Sequence, residues 1–210
     1  MFTKKEVAWM LIATILMALV ISFFKDFNTF LYSLLYSFLI IFISIFIKKL
    51  VASYIQVKIE HKLLWWKRFF IYERSYFKNP IPIGLLLPIF VSLISGGIIK
   101  IFTFLKYEVT PKKSRVTKKR TYPRFTELTE WDIGLMGIWG IGTTLFLSLF
   151  GLIIGQVEFA QISALYSLWN LIPLFEMDGT KILFGSKLAW VIEAILSVIM
   201  IILVYLIPAF

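Results

Sequence analysis

An acidic residue in an apolar sequence is the first candidate for chemistry in this 210-residue chain. Asp178 and Gly179 end the stretch NLIPLFEMDG, which begins at Asn170 and contains Pro173. A carboxylate at membrane depth is costly unless a cation or hydrogen-bond donors stabilise it, and such residues usually serve a function. We therefore take Asp178 as the reference point of a candidate site.

A cation that could stabilise this acid lies in a second apolar stretch. Ser44 and Lys48 are four residues apart, so on a helix they share one face. We hypothesise that Lys48 points toward Asp178, which predicts a close contact between the two side chains. The alternative is that Lys48 and Lys49 end the helix and extend to lipid headgroups. A Ser44–Lys48 nucleophile–base pair is a third reading, but it needs a neutral lysine, which a nearby carboxylate disfavours.

The histidine count limits metal chemistry. A catalytic zinc site of the two-histidine type needs two imidazoles, a carboxylate and an open position for water. The chain has one histidine, His61, and no cysteine. The sequence therefore predicts no metal, no cofactor and no zinc hydrolase activity. A site built from His61, Asp178 and Glu176 is the remaining metal alternative, although His61 lies outside the apolar segments and is expected to be an interfacial side chain.

The composition indicates the elements that position these residues. Hydrophobic residues make up 60% of the chain and the mean hydropathy is +0.87, whereas soluble domains are about 45–50% apolar. Apolar segments fall at 7–24, 28–47, 81–105, 131–154, 158–176 and 187–209. These segments predict an all-α polytopic membrane protein with a single membrane domain over 1–210. Its core spans 28–185, and its polar inserts span 48–79 and 106–130.

The polar inserts carry most of the cations. In so apolar a chain, a net charge of +10 favours contact with lipid headgroups, and we expect no nucleic-acid partner. We expect the insert 48–79 to form an interfacial hairpin or short strands. Its aromatic residues suit the headgroup level; they include Trp65, Trp66, Phe69 and Tyr72. We expect the insert 106–130 to be a solvated basic loop.

The segment 81–105 decides the topology. If it crossed the membrane, two basic loops of eight cations each would lie on opposite faces, against the positive-inside rule. If it returns, 20 of the 22 cations share one face with the N-terminus. Pro82, Pro88 and the pair Gly96–Gly97 disfavour a straight helix there. We predict five full spans plus one re-entrant or interfacial hairpin, in the cell membrane with a cytoplasmic N-terminus; a sixth full span is the alternative.

The residues around Asp178 resemble a known family. Asn170, Pro173, Asp178 and Gly179 match the N-x-x-P-x-x-x-x-D-G signature of the site-2 protease family of intramembrane zinc metalloproteases. In that family the aspartate is the third zinc ligand and lies at a helix end near the cytosolic face. The resemblance implies that Asn170, Pro173 and Gly179 belong to a region like the family's substrate groove.

The family's other motif, an H-E-x-x-H helix, is similar to SIFIKKLVASYIQVKIEHK only in its flanks. Those flanks align at Lys49, Val51–Ala52 and Glu60. The alignment places Ser44 at the first zinc histidine, Ile45 at the general-base glutamate and Lys48 at the second histidine. The family's zinc is expected, but its histidine ligands are absent. A third family pattern, A-G-P-x-x-N, is retained only at Gly137.

The resemblance implies a catalytically inactive relative, a pseudoprotease that binds or regulates membrane proteins. Its expected partners are the lipid bilayer and the transmembrane segments of other proteins. Two alternatives stay open. One is an active endopeptidase of this family with an atypical site. The other is a small carrier or channel that uses Asp178, Glu193 and Lys100 as intramembrane polar groups.

The remaining polar and glycine residues have structural interpretations. Glu193 lies in the last apolar run with no obvious partner, and we expect a protonated or hydrogen-bonded structural acid. The stretch GLMGIWGIG has spacing suited to close helix contacts, and its glycines are Gly134, Gly137, Gly140 and Gly142. Asn170 and Pro173 are expected to bend or unwind the helix before Asp178.

Overall fold

A computed structural model describes residues 2–23, 26–68, 76–102, 104–111 and 128–206. Its helices are α1 (Lys4–Ile21), α2 (Phe27–Tyr54), α3 (Ile83–Ile94), α4 (Glu130–Ile154), α5 (Val157–Leu171), α6 (Asp178–Gly185) and α7 (Lys187–Leu206). Its strands are β1 (Val57–Leu63), β2 (Trp66–Arg68), β3 (Tyr76–Ile81) and β4 (Leu105–Pro111). Phe69, Tyr72 and most of the second polar insert lie outside the described residues.

Three of the described helices, α2, α4 and α7, are long and apolar enough to cross a membrane. The prediction of a mainly helical membrane protein is therefore confirmed at this level. The helix α1 has 18 residues, but its first turn contains the charged residues Lys4, Lys5 and Glu6. The helix α5 has only 15 residues. The number of full spans beyond three stays a prediction.

Local sequence signals fix the ends of the helices. Thr3 and Thr129 cap α1 and α4 by accepting a hydrogen bond from the backbone three residues later. In each case the acid at that later position returns a bond to the capping residue, so both helices begin with a capping box. Gly155 ends α4 with φ of 82°, a left-handed conformation that favours glycine.

The polar inserts pair with each other, which the sequence analysis did not predict. β1 and β4 form an antiparallel pair with His61 opposite Tyr107 and Leu63 opposite Leu105. The expectation of a solvated loop is therefore wrong for the first residues of the second insert, since Lys106 and Tyr107 are buried in β4. β2 and β3 form a second antiparallel pair within the first insert, which confirms the expected short strands there.

The segment 81–105 is a hairpin. After α3, Gly96 and Gly97 turn the chain with φ of 61° and 82°. Both arms meet at one residue: the Leu64 N–H donates to the Phe104 carbonyl, and the Leu64 carbonyl accepts from the Gly84 N–H, each at 3.0 Å. The segment therefore turns back on itself, as the re-entrant prediction expects, and does not form one straight helix.

The bundle has two distinguishable ends. At one end, Glu6 at the start of α1 contacts Lys49 near the end of α2 and His61 of β1. At the other end, Tyr36 in the first half of α2 donates to Gln156, just before α5, at 3.0 Å. The sheet therefore belongs to the same end as the N-terminus, and so does the start of α6, where Asp178 contacts Lys48.

Candidate functional site

A break between α5 and α6 places Asp178. The helix α5 ends at Leu171, and Ile172 is extended because the next residue is Pro173. The chain resumes a helix at Asp178, where the positive end of the helix dipole favours a carboxylate. Gly179 allows this turn, since a Cβ there would lie 1.9 Å from the Leu171 carbonyl oxygen. The expected unwinding before Asp178 is confirmed.

Lys48 forms an ion pair with Asp178. Its Nζ donates to the Asp178 Oδ2, and the two side chains are only 6% and 3% exposed. The predicted contact is therefore confirmed. The alternative that Lys48 and Lys49 extend to headgroups is wrong, because both are buried and Lys49 pairs with Glu6 at 2.8 Å.

A glycine of α4 makes room for the lysine. A Cβ on Gly140 would lie 2.0 Å from Cε of Lys48 and 3.0 Å from its Cγ and Cδ. Only glycine lets the Lys48 side chain run across α4 to reach Asp178. Ser44, one turn earlier on α2, donates to the Gly140 carbonyl at 3.5 Å. Ser44 and Lys48 therefore share a face toward α4, as their spacing predicts.

The position aligned with the general-base glutamate does not face the ion pair. Ile45 belongs to the apolar core that α1 and α2 share. Its side chain is 3% exposed and packs in the same cluster as Met17 and Ile41. Of the three aligned positions on α2, only those of Ser44 and Lys48 are on the side of α4.

The other glycines of GLMGIWGIG differ in their roles. A Cβ on Gly134 would lie 3.0 Å from the Lys181 carbonyl oxygen, and one on Gly137 would lie 2.8 Å from Cγ1 of Ile182. These two glycines bring α4 against α6, which confirms the expected close packing. Gly142 has no such neighbour, because the nearest atom would be 3.9 Å away.

Tyr107 completes the surroundings of the ion pair, and the sequence analysis missed it. Its ring lies 5.5 Å from Nζ of Lys48 and 3.5 Å from Nζ of Lys181, so it faces two ammonium groups. Its hydroxyl donates to the Ile133 carbonyl at 2.7 Å. The strand pairing of the two inserts places this ring, and no local sequence signal reveals that pairing.

A second buried cluster lies around Glu6. Its carboxylate accepts hydrogen bonds from Nζ of Lys49 at 2.8 Å and from the backbone N–H of His61 at 2.9 Å. The His61 ring is 3% exposed, and its Nδ1 lies 3.7 Å from Oε1 of Glu6. The expectation of an interfacial histidine is therefore wrong, because β1 packs under α1. Burial lowers the pKa of His61 to about 4, although Glu6 opposes this shift.

Asn170 holds the hairpin to α5. Its side-chain amide donates to the Tyr166 carbonyl at 2.8 Å and to the Phe102 carbonyl at 3.3 Å. The indole of Trp190 donates to the Leu171 carbonyl at 2.9 Å. The Leu171 carbonyl, at the break before Asp178, therefore has a side-chain partner.

The remaining acids do not join Asp178. Glu176 is exposed and pairs with Lys106 of β4. Glu193 is buried on α7, and its Oε2 has no hydrogen-bond partner among the described residues. Within the described ranges, no three His, Cys, Asp or Glu side chains are placed to hold a metal ion. The alternative set of His61, Asp178 and Glu176 is not brought together, since His61 contacts Glu6 instead.

Comparisons of the chain with protein-family models, with curated proteins and with solved structures give no match. The resemblance to the site-2 protease family therefore stays a prediction.

Proposed function

We propose that this chain is a catalytically inactive, site-2-protease-like membrane protein that binds transmembrane segments of other proteins. The observation that carries the proposal is the buried ion pair between Lys48 and Asp178. In the alignment, Lys48 takes the position of a zinc histidine and Asp178 that of the third zinc ligand. The ammonium thus supplies the positive charge that the carboxylate needs, and the helices stay together without an ion.

The surroundings of the pair support a structural role. A zinc-bound water needs an open coordination position, whereas the Lys48 ammonium fills the space between α2 and Asp178 under Gly140. A nucleophilic Ser44 needs Lys48 as its base, but Nζ of Lys48 donates to Asp178 and the Ser44 hydroxyl donates to the Gly140 carbonyl. The active-protease alternative therefore has less support than an inactive bundle.

The binding role rests on the break before Asp178. Residues 172–177 lie between two helices without helical hydrogen bonding, and Leu174, Phe175 and Glu176 are exposed there. In a bilayer such backbone needs cover from protein. A transmembrane segment that unwinds locally would provide that cover beside the hairpin, where Met177 packs in one cluster with Ile83 of α3.

Two measurements on protein in lipid nanodiscs test the proposal. Zinc content after equilibration with zinc should stay far below one ion per chain. Fluorescence energy transfer to labelled transmembrane peptides should exceed transfer to a labelled polyleucine control peptide. The transfer should fall for a variant with Leu174→Ser and Phe175→Ser. Stoichiometric zinc that Asp178→Asn removes would refute the inactive assignment. Equal transfer to all peptides would refute the binding role, and ion flux through proteoliposomes would favour the carrier alternative.

A further inference from the structure

A cavity of about 530 Å³ lies between β4 and α6, on the end of the bundle that carries the sheet. Its lining includes Tyr107, Val109, Glu130, Phe175, Glu176 and Lys181. The volume falls in the range of about 300–1,000 Å³ that is typical of small-ligand pockets. The walls combine apolar and aromatic side chains with a few charged groups, as ligand pockets generally do.

Close helix packing brings two opposite charges to this cavity. A Cβ on Gly185 would lie 2.8 Å from the Glu130 carbonyl oxygen, and one on Gly134 would lie 3.0 Å from the Lys181 carbonyl oxygen. The first turn of α4 therefore lies directly against α6. As a result, Glu130, which is exposed, and Lys181, which is half-buried, line the same cavity.

Lys181 differs from the buried lysines. Lys48, Lys49 and Lys106 each have a carboxylate partner within 4 Å. Lys181 has none among the described residues: its Nζ donates to the Tyr107 carbonyl and lies 3.5 Å above the Tyr107 ring. An ammonium has three donors, so one hydrogen bond leaves capacity for an anion. Burial lowers the pKa of Lys181 to about 8, although the charges of Asp178 and Glu176 oppose this shift.

Of the acids that line the cavity, Glu130 alone has no ion pair within the described part of the chain. Glu108 pairs with Lys62 and with Lys106, and Glu176 pairs with Lys106. The cavity thus presents a lysine on α6 and an exposed glutamate on α4, neither of which has an ion-pair partner within 4 Å among the described residues. A dianion such as phosphate would meet three glutamates and a single lysine in this cavity, so the binding of phosphate is disfavoured.

We propose that this cavity binds a zwitterion, with the ligand carboxylate on Lys181 and the ligand ammonium on Glu130. Two sources share this chemistry: a free amino acid, and the carboxyl-terminal residue of a polypeptide that ends in a lysine. The proposal does not depend on the proposed function, because neither residue belongs to the Lys48–Asp178 pair.

Calorimetric titration of the full chain in nanodiscs with 6-aminohexanoate tests the proposal, since this probe carries one carboxylate and one ammonium. Saturable binding of one probe per chain is expected. Hexanoate lacks the ammonium and hexylamine lacks the carboxylate, so each should bind at least tenfold more weakly. Equal binding of the probe and of hexanoate, or no saturable binding, would overturn the proposal.

Variants separate the two contacts. Lys181→Met should abolish binding, and the thermal midpoint of unfolding should shift only modestly, because the variant loses the hydrogen bond to the Tyr107 carbonyl and the contact with the Tyr107 ring but no ion pair. Glu130→Gln should weaken binding of 6-aminohexanoate about tenfold and leave binding of hexanoate unaltered. Lys58→Gln, on the exposed edge of β1, is the matched control and should bind normally. Unaltered binding by the Lys181→Met variant would contradict the assignment.

The two sources are then compared directly. Free lysine and a peptide with a carboxyl-terminal lysine are titrated beside the same peptide as a carboxamide. Stronger binding of the peptide than of lysine assigns the cavity to a polypeptide terminus, and the reverse assigns it to the amino acid. Equal binding of the carboxamide would overturn the proposal, because it lacks the carboxylate that Lys181 is expected to hold.

Discussion

Neutralising one partner of the Lys48–Asp178 pair should destabilise the bundle far more than neutralising both. The side chains are 6% and 3% exposed, so water and salt screen the pair little. Removal of one partner leaves a buried charge without compensation, which costs about 3–5 kcal/mol. We therefore expect Lys48→Met and Asp178→Asn each to lower the free energy of unfolding by that amount.

The double variant should recover most of this loss. Methionine replaces the Cγ, Cδ and Cε atoms of the lysine that lie against Gly140, and asparagine keeps the shape of the carboxylate. Replacement of a buried ion pair by neutral groups is often close to neutral in stability. The double-mutant cycle should then give a coupling energy of about 3 kcal/mol or more, because the two single losses are not additive.

The assay is reversible unfolding of the protein in mixed micelles, followed by the fluorescence of its tryptophans. The matched control is the pair Lys62 and Glu108, whose side chains are 44% and 42% exposed. Its cycle should give a coupling energy below about 1 kcal/mol, since exposed ion pairs contribute little. Additive losses at Lys48 and Asp178, or single variants as stable as wild type, would refute the reasoning.

Three further predictions concern packing, pH and topology. Gly140→Ala should lower the free energy of unfolding by about 1–3 kcal/mol, because its Cβ would lie 2.0 Å from Cε of Lys48. Gly142→Ala should change the unfolding midpoint little, because the nearest atom to its Cβ would be 3.9 Å away. Equal losses for the two variants would contradict this prediction. Burial lowers the pKa of His61 from 6.5 to about 4, so this group binds fewer protons in the folded state and its own contribution to stability should fall by up to about 3 kcal/mol as the pH drops from 6.5 toward 4. His61→Gln should remove that pH dependence, and an unchanged slope would exclude His61 as its cause. An impermeant maleimide should label Thr110→Cys only in inverted membrane vesicles and Glu158→Cys only in right-side-out vesicles, with the cysteine-free wild type as the blank; labelling of both in one preparation would contradict the topology.

The part of the site that follows from local spacing could be predicted from the sequence. Ser44 and Lys48 share a helix face because they are four residues apart, and Asp178 needs a cation because it follows an apolar run. Pro173 ends α5 early because a residue before proline is extended. These rules act over a few residues, so the sequence alone was enough to apply them.

The rest depends on pairing between distant segments. Tyr107 reaches the ion pair because β4 pairs with β1, whose residues lie more than 40 positions earlier in the chain. His61 is buried because β1 packs against α1, where Glu6, 55 residues away, accepts its backbone hydrogen bond. That Lys181 has no carboxylate partner among the described residues, unlike Lys48 and Lys49, is seen only in the three-dimensional structure. No periodicity or motif encodes such contacts, so the sequence analysis placed these residues in loops or gave them no role.

The most direct test of the central claim is a solid-state NMR measurement of the distance between Nζ of Lys48 and the carboxyl carbon of Asp178. The protein would be in nanodiscs, once with a chelator and once with excess zinc, and Lys48→Met would identify the lysine signal. The account predicts a distance within about 4 Å in both samples. A distance beyond about 6 Å, or a short distance that is lost when zinc is added, would contradict it.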